Sequence, residues 1–279
     1  MGGRALVLGG GGVAGIAWEA GLIAGLRDAG ADLTGADLLV GTSAGSVVAA
    51  FIAHGVDMAA AIEEVAARDE ALPPAAADVD MTDLLNAFAV LFDESLDPRE
   101  ARRRVGAMAL AAPTGAMAGR LAEIGAALPS AEWPERPLRV TAVDTADGEF
   151  VVWDRDSGAP LAQAVMSSCA VPCVFPPVEI GGRAYMDGGA RSATNADLAD
   201  GAERVVILEP LAYLTPRPVL EREVRGLAPA EVAVVGPDQA AIDLFGFDLL
   251  SPRLWRAAFD AGRAQAGAAA PEVLKVWNG

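Results

Sequence analysis

The chain is poor in the groups that most enzymes use for proton and metal chemistry. Its 279 residues hold one histidine, His54, and two cysteines, Cys169 and Cys173. A three-histidine metal site and a disulfide framework are thereby excluded, and a His-dependent mechanism would have to run through His54. The cysteines stand as C-x3-C with no histidine nearby, a poor zinc pattern, and read as small buried thiols. Lysine is nearly absent: of 21 basic residues only Lys275 is not arginine. Set against 38 acidic residues they leave a net charge of −17. That balance argues against nucleic acid as a partner and against electrostatic docking on anionic membranes. Long apolar runs are missing too. Arg4–Leu8 is short, and the glycines after it, then Glu19, interrupt any signal-peptide or membrane-spanning pattern. The expected setting is the cytoplasm, with at most transient contact with a membrane surface.

What is present is ample for a packed core: 53% hydrophobic residues, much of it alanine, and 21% charged. The length suits one large domain, and no linker divides it. Arg4–Leu8 reads as a buried strand, Gly9–Gly12 as a loop, Gly15–Ala29 as a helix, Asp37–Val40 as a second strand and Ser46–His54 as a second helix. This alternation predicts a parallel sheet covered by helices. Residues 57–130 read as a helical excursion. In it Pro73-Pro74 should break a helix, and Asp97-Pro98-Arg99-Glu100 should start one with a capping box. Strands resume at Leu138–Val143 and Phe150–Trp153 around an Asp147-Gly148 turn, and a helix is expected over Pro160–Ser168. Val178–Ile180 and Arg183–Met186 should flank a hairpin at Gly181-Gly182. Arg204–Leu208 and Glu231–Val235 read as strands, and Ser251-Pro252 as the start of a last long helix. The stripe Met81, Leu84, Leu85, Phe88, Leu91, Phe92 is expected in the core, and Arg102-Arg103-Arg104 on a solvated helix face beside Glu94, Asp97 and Glu100.

Two motifs could carry chemistry. Gly41-Thr42-Ser43-Ala44-Gly45 is a G-x-S-x-G between a predicted strand and a predicted helix. There a serine would sit on a sharp turn, with the helix N-terminus favouring negative charge on its oxygen. The second is Gly9-Gly10-Gly11-Gly12 with Gly15. It also reads as G-x-G-x-x-G through Gly10, Gly12 and Gly15, the dinucleotide fingerprint. That rival wants an acid ending the second strand, where Gly41-Thr42-Ser43 stands. Otherwise the same backbone amides could form an oxyanion hole beside Ser43. A nucleophilic serine needs a base. His54 lies three helical turns beyond Ser43, which suits a helix-end role and not a triad. The remaining candidates are Lys275 and the strand-end acids Asp144, Asp187 and Glu209, of which Asp187 is set apart by the glycines of Asp187-Gly188-Gly189.

Taken together, GGGGVAG, GTSAGS and SSCAVPCVFPPVEIGGRAYMDGG resemble the patatin-like phospholipase family over roughly residues 4 to 210. The resemblance implies a three-layer α/β/α fold with a central, mostly parallel sheet. It also implies a Ser–Asp dyad in place of a triad. Ser43 would be the nucleophile, Asp187 the base, and the amides of Gly10, Gly11 and Gly12 the oxyanion donors. The activity implied is hydrolysis of a lipid ester without cofactor or metal. An acyltransferase or small-ester esterase on the same dyad is the alternative. The family usually carries Arg or Lys where this chain has Ala14, and the Gly15–Gly21 spacing is one residue longer than usual.

Overall fold

In the computed structural model, residues 3–70 and 81–279 are described; Pro73-Pro74 lies outside them. The strands are β1 Arg4–Leu8, β2 Leu38–Gly41, β3 Leu138–Asp144, β4 Phe150–Trp153, β5 Val178–Ile180, β6 Arg183–Asp187, β7 Arg204–Leu208 and β8 Glu231–Val235. The helices are α1 Gly12–Asp28, α2 Ala44–Ala53, α3 Met58–Glu70, α4 Met81–Leu91, α5 Pro98–Ala111, α6 Ala118–Ala126, α7 Leu161–Ser168, α8 Arg217–Gly226, α9 Gln239–Phe245 and α10 Leu254–Trp277.

All eight strands form one sheet. Its order is β5-β6-β3-β2-β1-β7-β8, with β4 paired to β3. The stretch β3-β2-β1-β7-β8 is parallel, while β4, β5 and β6 run antiparallel to their neighbours. Strands of a parallel sheet covered on both faces must be apolar at successive positions, and β1 shows how. Leu6 and Leu8 enter the core beneath α1, α2, α7 and α10, whereas Ala5 and Val7 enter the one beneath α8. On that second face, α4 and α5 cover Val143 and Met186 of β3 and β6. The result is three layers, helix, sheet and helix.

Helix α10 lies against α1 at very short range because the contact is made by glycines. A Cβ on Gly21 would stand 1.9 Å from the carbonyl oxygen of Phe259, and one on Gly262 2.2 Å from that of Trp18. Helix α10 starts at Leu254, three residues after Ser251, which with Pro252 forms the preceding turn. Helix α1 likewise starts at Gly12 and not at Gly15, so the last loop glycine is its first residue.

The apolar stripe of α4 does not go wholly into the core. Leu84 and Leu91 pack inward, but Leu85, Phe88 and Phe92 are exposed, the two rings stacked 5.8 Å apart. Periodicity established that the helix is amphipathic without saying that a neighbour covers the stripe. The arginine run divides as well. Arg103 and Arg104 pair with Glu100 on the exposed face, while half-buried Arg102 donates to the carbonyl of Gly148 at 2.8 Å. Among the described residues, no helix is long and apolar enough to cross a membrane.

Candidate active site

The pairing around β3 brings the two motif residues together. Strands β4 and β6 both pair with Ala142 and Val143, so they flank β3 on opposite sides; β4 and β2 both pair with Val140, so they too are opposed. It follows that β2 and β6 lie on the same side of β3, end to end. Strand β2 leaves at Gly41, opposite Val140, and β6 arrives at Asp187, opposite Ala142. Two residues of β3, about 7 Å at the strand rise, span the gap, and Ser43 lies two residues beyond Gly41.

Ser43 occupies that gap with φ 52 and ψ −121, a region costing a non-glycine residue on the order of 1–3 kcal/mol. Three neighbours hold it there. Its backbone N–H donates to the Ser168 hydroxyl at 2.9 Å, and its carbonyl accepts from the Ser46 hydroxyl at 2.6 Å and the Cys169 thiol at 3.3 Å. Close packing of α2 beneath the turn requires glycine at Gly45, where a Cβ would stand 2.1 Å from the carbonyl oxygen of Leu8. The Ser168 and Cys169 contacts were not legible in the sequence, where Ser168 read as the end of a helix and Cys169 as a small buried thiol. Burial pushes the Cys169 thiol far up, and the nearby Asp187 carboxylate adds to this, so it acts as a neutral donor.

Asp187 is 4% exposed. Its Oδ1 accepts from the Gly189 amide at 2.7 Å, and its Oδ2 is buried without a hydrogen-bond partner. Burial pushes the carboxyl up to about 7, and the Ser43 hydroxyl and the Gly189 amide pull it partly back. The serine is thus near enough to act on the acid, although no hydrogen bond of ordinary geometry reaches Oδ2. An unpartnered carboxylate oxygen beside a strained serine can accept a proton from it. Of the other acids, Asp144 is bound by Arg183, and Glu209 by Arg217 and Thr215.

The glycine loop also meets Ser43. A Cβ on Gly10 would lie 3.4 Å from that of Ser43. Gly10 must nevertheless be removed from the expected donors, because its N–H is committed to the carbonyl of Ala193 at 2.8 Å. Among the described residues the amides of Gly11 and Gly12 have no acceptor, and neither has that of Ala44, the first residue of α2. These free N–H groups lie at two helix N-termini, where partial positive charge collects. The dinucleotide reading loses its footing, since β2 ends in Gly41 and the segment Leu249-Leu250 closes over the loop, 2.8 Å from a Cβ on Gly12. Ala14, which stands where the resemblance would put Arg or Lys, is fully buried, and its N–H donates to the carbonyl of Leu249 at 3.1 Å.

His54 ends α2, its ring nitrogens on the carbonyls of Ala50 and Glu132, some 16 Å from Ser43 at the helical rise. Cys169 and Cys173 are free and buried. Among the described residues no group of three His, Cys, Asp or Glu side chains could hold a metal ion.

A family model described as "Patatin-like phospholipase" matches residues 6–200, more than half of the chain. The chain belongs to the patatin-like phospholipase family. Its three layers of helix, sheet and helix are accordingly the patatin fold. Among solved structures, VipD from Legionella pneumophila matches at TM-score 0.49 and 14% identity over 97% of this chain and 66% of that one. The type III effector ExoU matches at 0.41 and 18% over 98% and 54%. ExoU in its complex with SpcU from Pseudomonas aeruginosa matches at 0.36 and 18% over 95% and 53%. This patatin-like chain therefore spans two thirds or less of the length of each of these structures. No curated protein matches it by sequence.

Proposed function

We propose that this patatin-like protein is a serine ester hydrolase of lipids that works through a Ser43–Asp187 dyad. Asp187 takes the proton of the Ser43 hydroxyl as that oxygen attacks the ester carbonyl. The negative charge on the former carbonyl oxygen is met by the free amides of Gly11, Gly12 and Ala44. Collapse expels the alcohol, which takes the proton from Asp187, and water then releases the fatty acid from the acyl-serine. The observation carrying this reading is the meeting of β2 and β6 along β3, which sets a strained serine beside a buried carboxylate with one oxygen unpartnered. The net charge of −17 favours neutral or zwitterionic lipids as substrates.

A fluorophosphonate probe and a short p-nitrophenyl ester test it. The parent should be labelled and should turn over. Ser43→Ala should do neither while keeping its circular dichroism, and full turnover by a pure, folded Ser43→Ala protein would end the proposal. Release of free fatty acid in water, set against transfer to an added alcohol, separates a hydrolase from an acyltransferase.

A further inference from the structure

The segment that follows Asp187 touches all three parts of the proposed site. The carbonyl of Ala193 accepts the N–H of Gly10 in the glycine loop. Gly188, next to Asp187, lies so close to β3 that a Cβ on it would stand 2.1 Å from the Thr141 hydroxyl. At the end of this segment Asn195 is fully buried, in the left-handed conformation at φ 51 and ψ 41. Its Nδ2 donates to the carbonyl of Ser192 at 2.8 Å and to the hydroxyl of Thr42 at 3.0 Å, and it lies 3.3 Å from the carbonyl of Gly188. The orientation of the amide follows from its partners, because Oδ1 accepts from Arg191 at 2.8 Å. Arg191 is held in turn by Asp197, and the Thr42 hydroxyl also accepts from Thr141 at 2.9 Å.

One buried amide therefore joins the residue before Ser43 to the residue after Asp187. We infer that Asn195 is a positioning residue that sets the separation of Ser43 and Asp187, bracing Thr42 against Gly188. This inference rests on the dyad reading. It goes beyond that reading by assigning the spacing of the dyad to a side chain that touches neither substrate nor reacting atoms.

A side chain needed only for its left-handed backbone differs in a testable way from one needed for its amide. Glycine adopts φ 51 without strain, so Asn195→Gly keeps the turn and deletes the bridge. Asn195→Asp keeps the shape, but turns an acceptor oxygen toward the carbonyls of Ser192 and Gly188. Both variants are compared with the parent by fluorophosphonate labelling rate, by kcat and KM on a soluble p-nitrophenyl ester, and by circular dichroism. A displacement on the order of 1 Å costs about a hundredfold in rate, so kcat and labelling should fall by about that factor, with KM moving less than about threefold. The acidic limb of the rate profile should also shift, because Ser43 helps to set the proton affinity of Asp187. A folded Asn195→Gly protein with kcat and limb like the parent's would overturn the inference. Should that variant not fold, the same result from Asn195→Asp would do so. Ser43→Ala in parallel keeps the two readings apart: if it is inactive while Asn195→Gly is fully active, the dyad stands and only the bridge fails.

Discussion

The pH dependence of the reaction separates this site from a histidine-based one. Asp187 is buried, its Oδ2 has no partner, and its carboxyl is pushed from the ordinary 3.8 up to about 7. A base with that value is about 91% ionised at pH 8 and about 1% at pH 5, so kcat/KM should fall about ninetyfold between them. A carboxylate at 3.8 would lose less than about 10% over the same interval. A limb near 7 would ordinarily be assigned to histidine, whose usual value is about 6.5. His54 is the only histidine, and it is engaged with two carbonyls at the far end of α2. The assay is hydrolysis of a soluble p-nitrophenyl ester from pH 4.5 to 9, read at a pH-independent wavelength, for the parent and His54→Ala. Both should show the same limb, and Asp187→Asn should leave too little activity to define one. A limb below pH 5 would refute the claim that burial governs Asp187; a limb that disappears in folded His54→Ala would refute the dyad.

The same burial has a consequence for stability, with a definite sign. The folded chain holds the Asp187 proton more tightly than the unfolded chain does. Between pH 3.8 and about 7 the native state therefore binds more protons, and stability falls as pH rises. Roughly three pH units at 1.36 kcal/mol each amount to about 4 kcal/mol as an upper bound. Asp187→Asn removes this loss. The variant expected to be the less active should be the more stable at pH 8, which urea unfolding at pH 5 and pH 8 would measure.

Three further substitutions probe the surroundings. Glu19 is fully buried with neither carboxyl oxygen partnered, and burial raises it well above its ordinary value, so it too destabilises the fold as pH rises above about 4.5. Glu19→Gln should flatten the fall in urea midpoint between pH 5 and pH 8; an unchanged slope would show that this carboxyl is not the one titrating. Gly45→Ala drives a Cβ to 2.1 Å from a backbone oxygen of the central strand, and should cost more than about 3 kcal/mol or prevent folding. A midpoint within error of the parent's would show that α2 can lift off β1. Ala14→Arg would bury a guanidinium under Leu249 and should destabilise the fold by several kcal/mol, read as a lower urea midpoint, with no gain in activity on phospholipid. A fully stable and more active variant would mean that the Leu249-Leu250 segment swings aside.

Much of the fold could be read from the chain because its signals are local. Short apolar runs such as Arg4–Leu8 and Arg204–Leu208, punctuated by glycines, mark strands buried on both faces. Asp97-Pro98 marks a helix start, and the Asp97 side chain does accept from the amides of Arg99 and Glu100. The double role of β3 could not be read in this way. Nothing in Leu138–Asp144 says that one edge of the strand serves β2 over its first half and β6 over its second. That register is a long-range fact, and it is what brings Gly41-Thr42-Ser43 to Asp187.

Within the site, the limit lies in the direction of polar groups. Gly10, Gly11 and Gly12 are identical letters, and the backbone separates them: the first faces Ala193 and the other two face no acceptor. Asn195 belongs to no motif, and Ser168 and Cys169, although they lie in the stretch that resembles the family, show no role by their letters, since serine and cysteine at a helix end and asparagine in a turn are ordinary residues there. Their contribution appears only once the strained Ser43 needs its N–H and carbonyl held, and once the turn after Asp187 needs bracing. A catalytic motif names the atoms that react. The residues that keep those atoms strained, desolvated and at the right separation are chosen by three-dimensional hydrogen-bond satisfaction, and they can be recovered only after the sheet has brought their partners within reach.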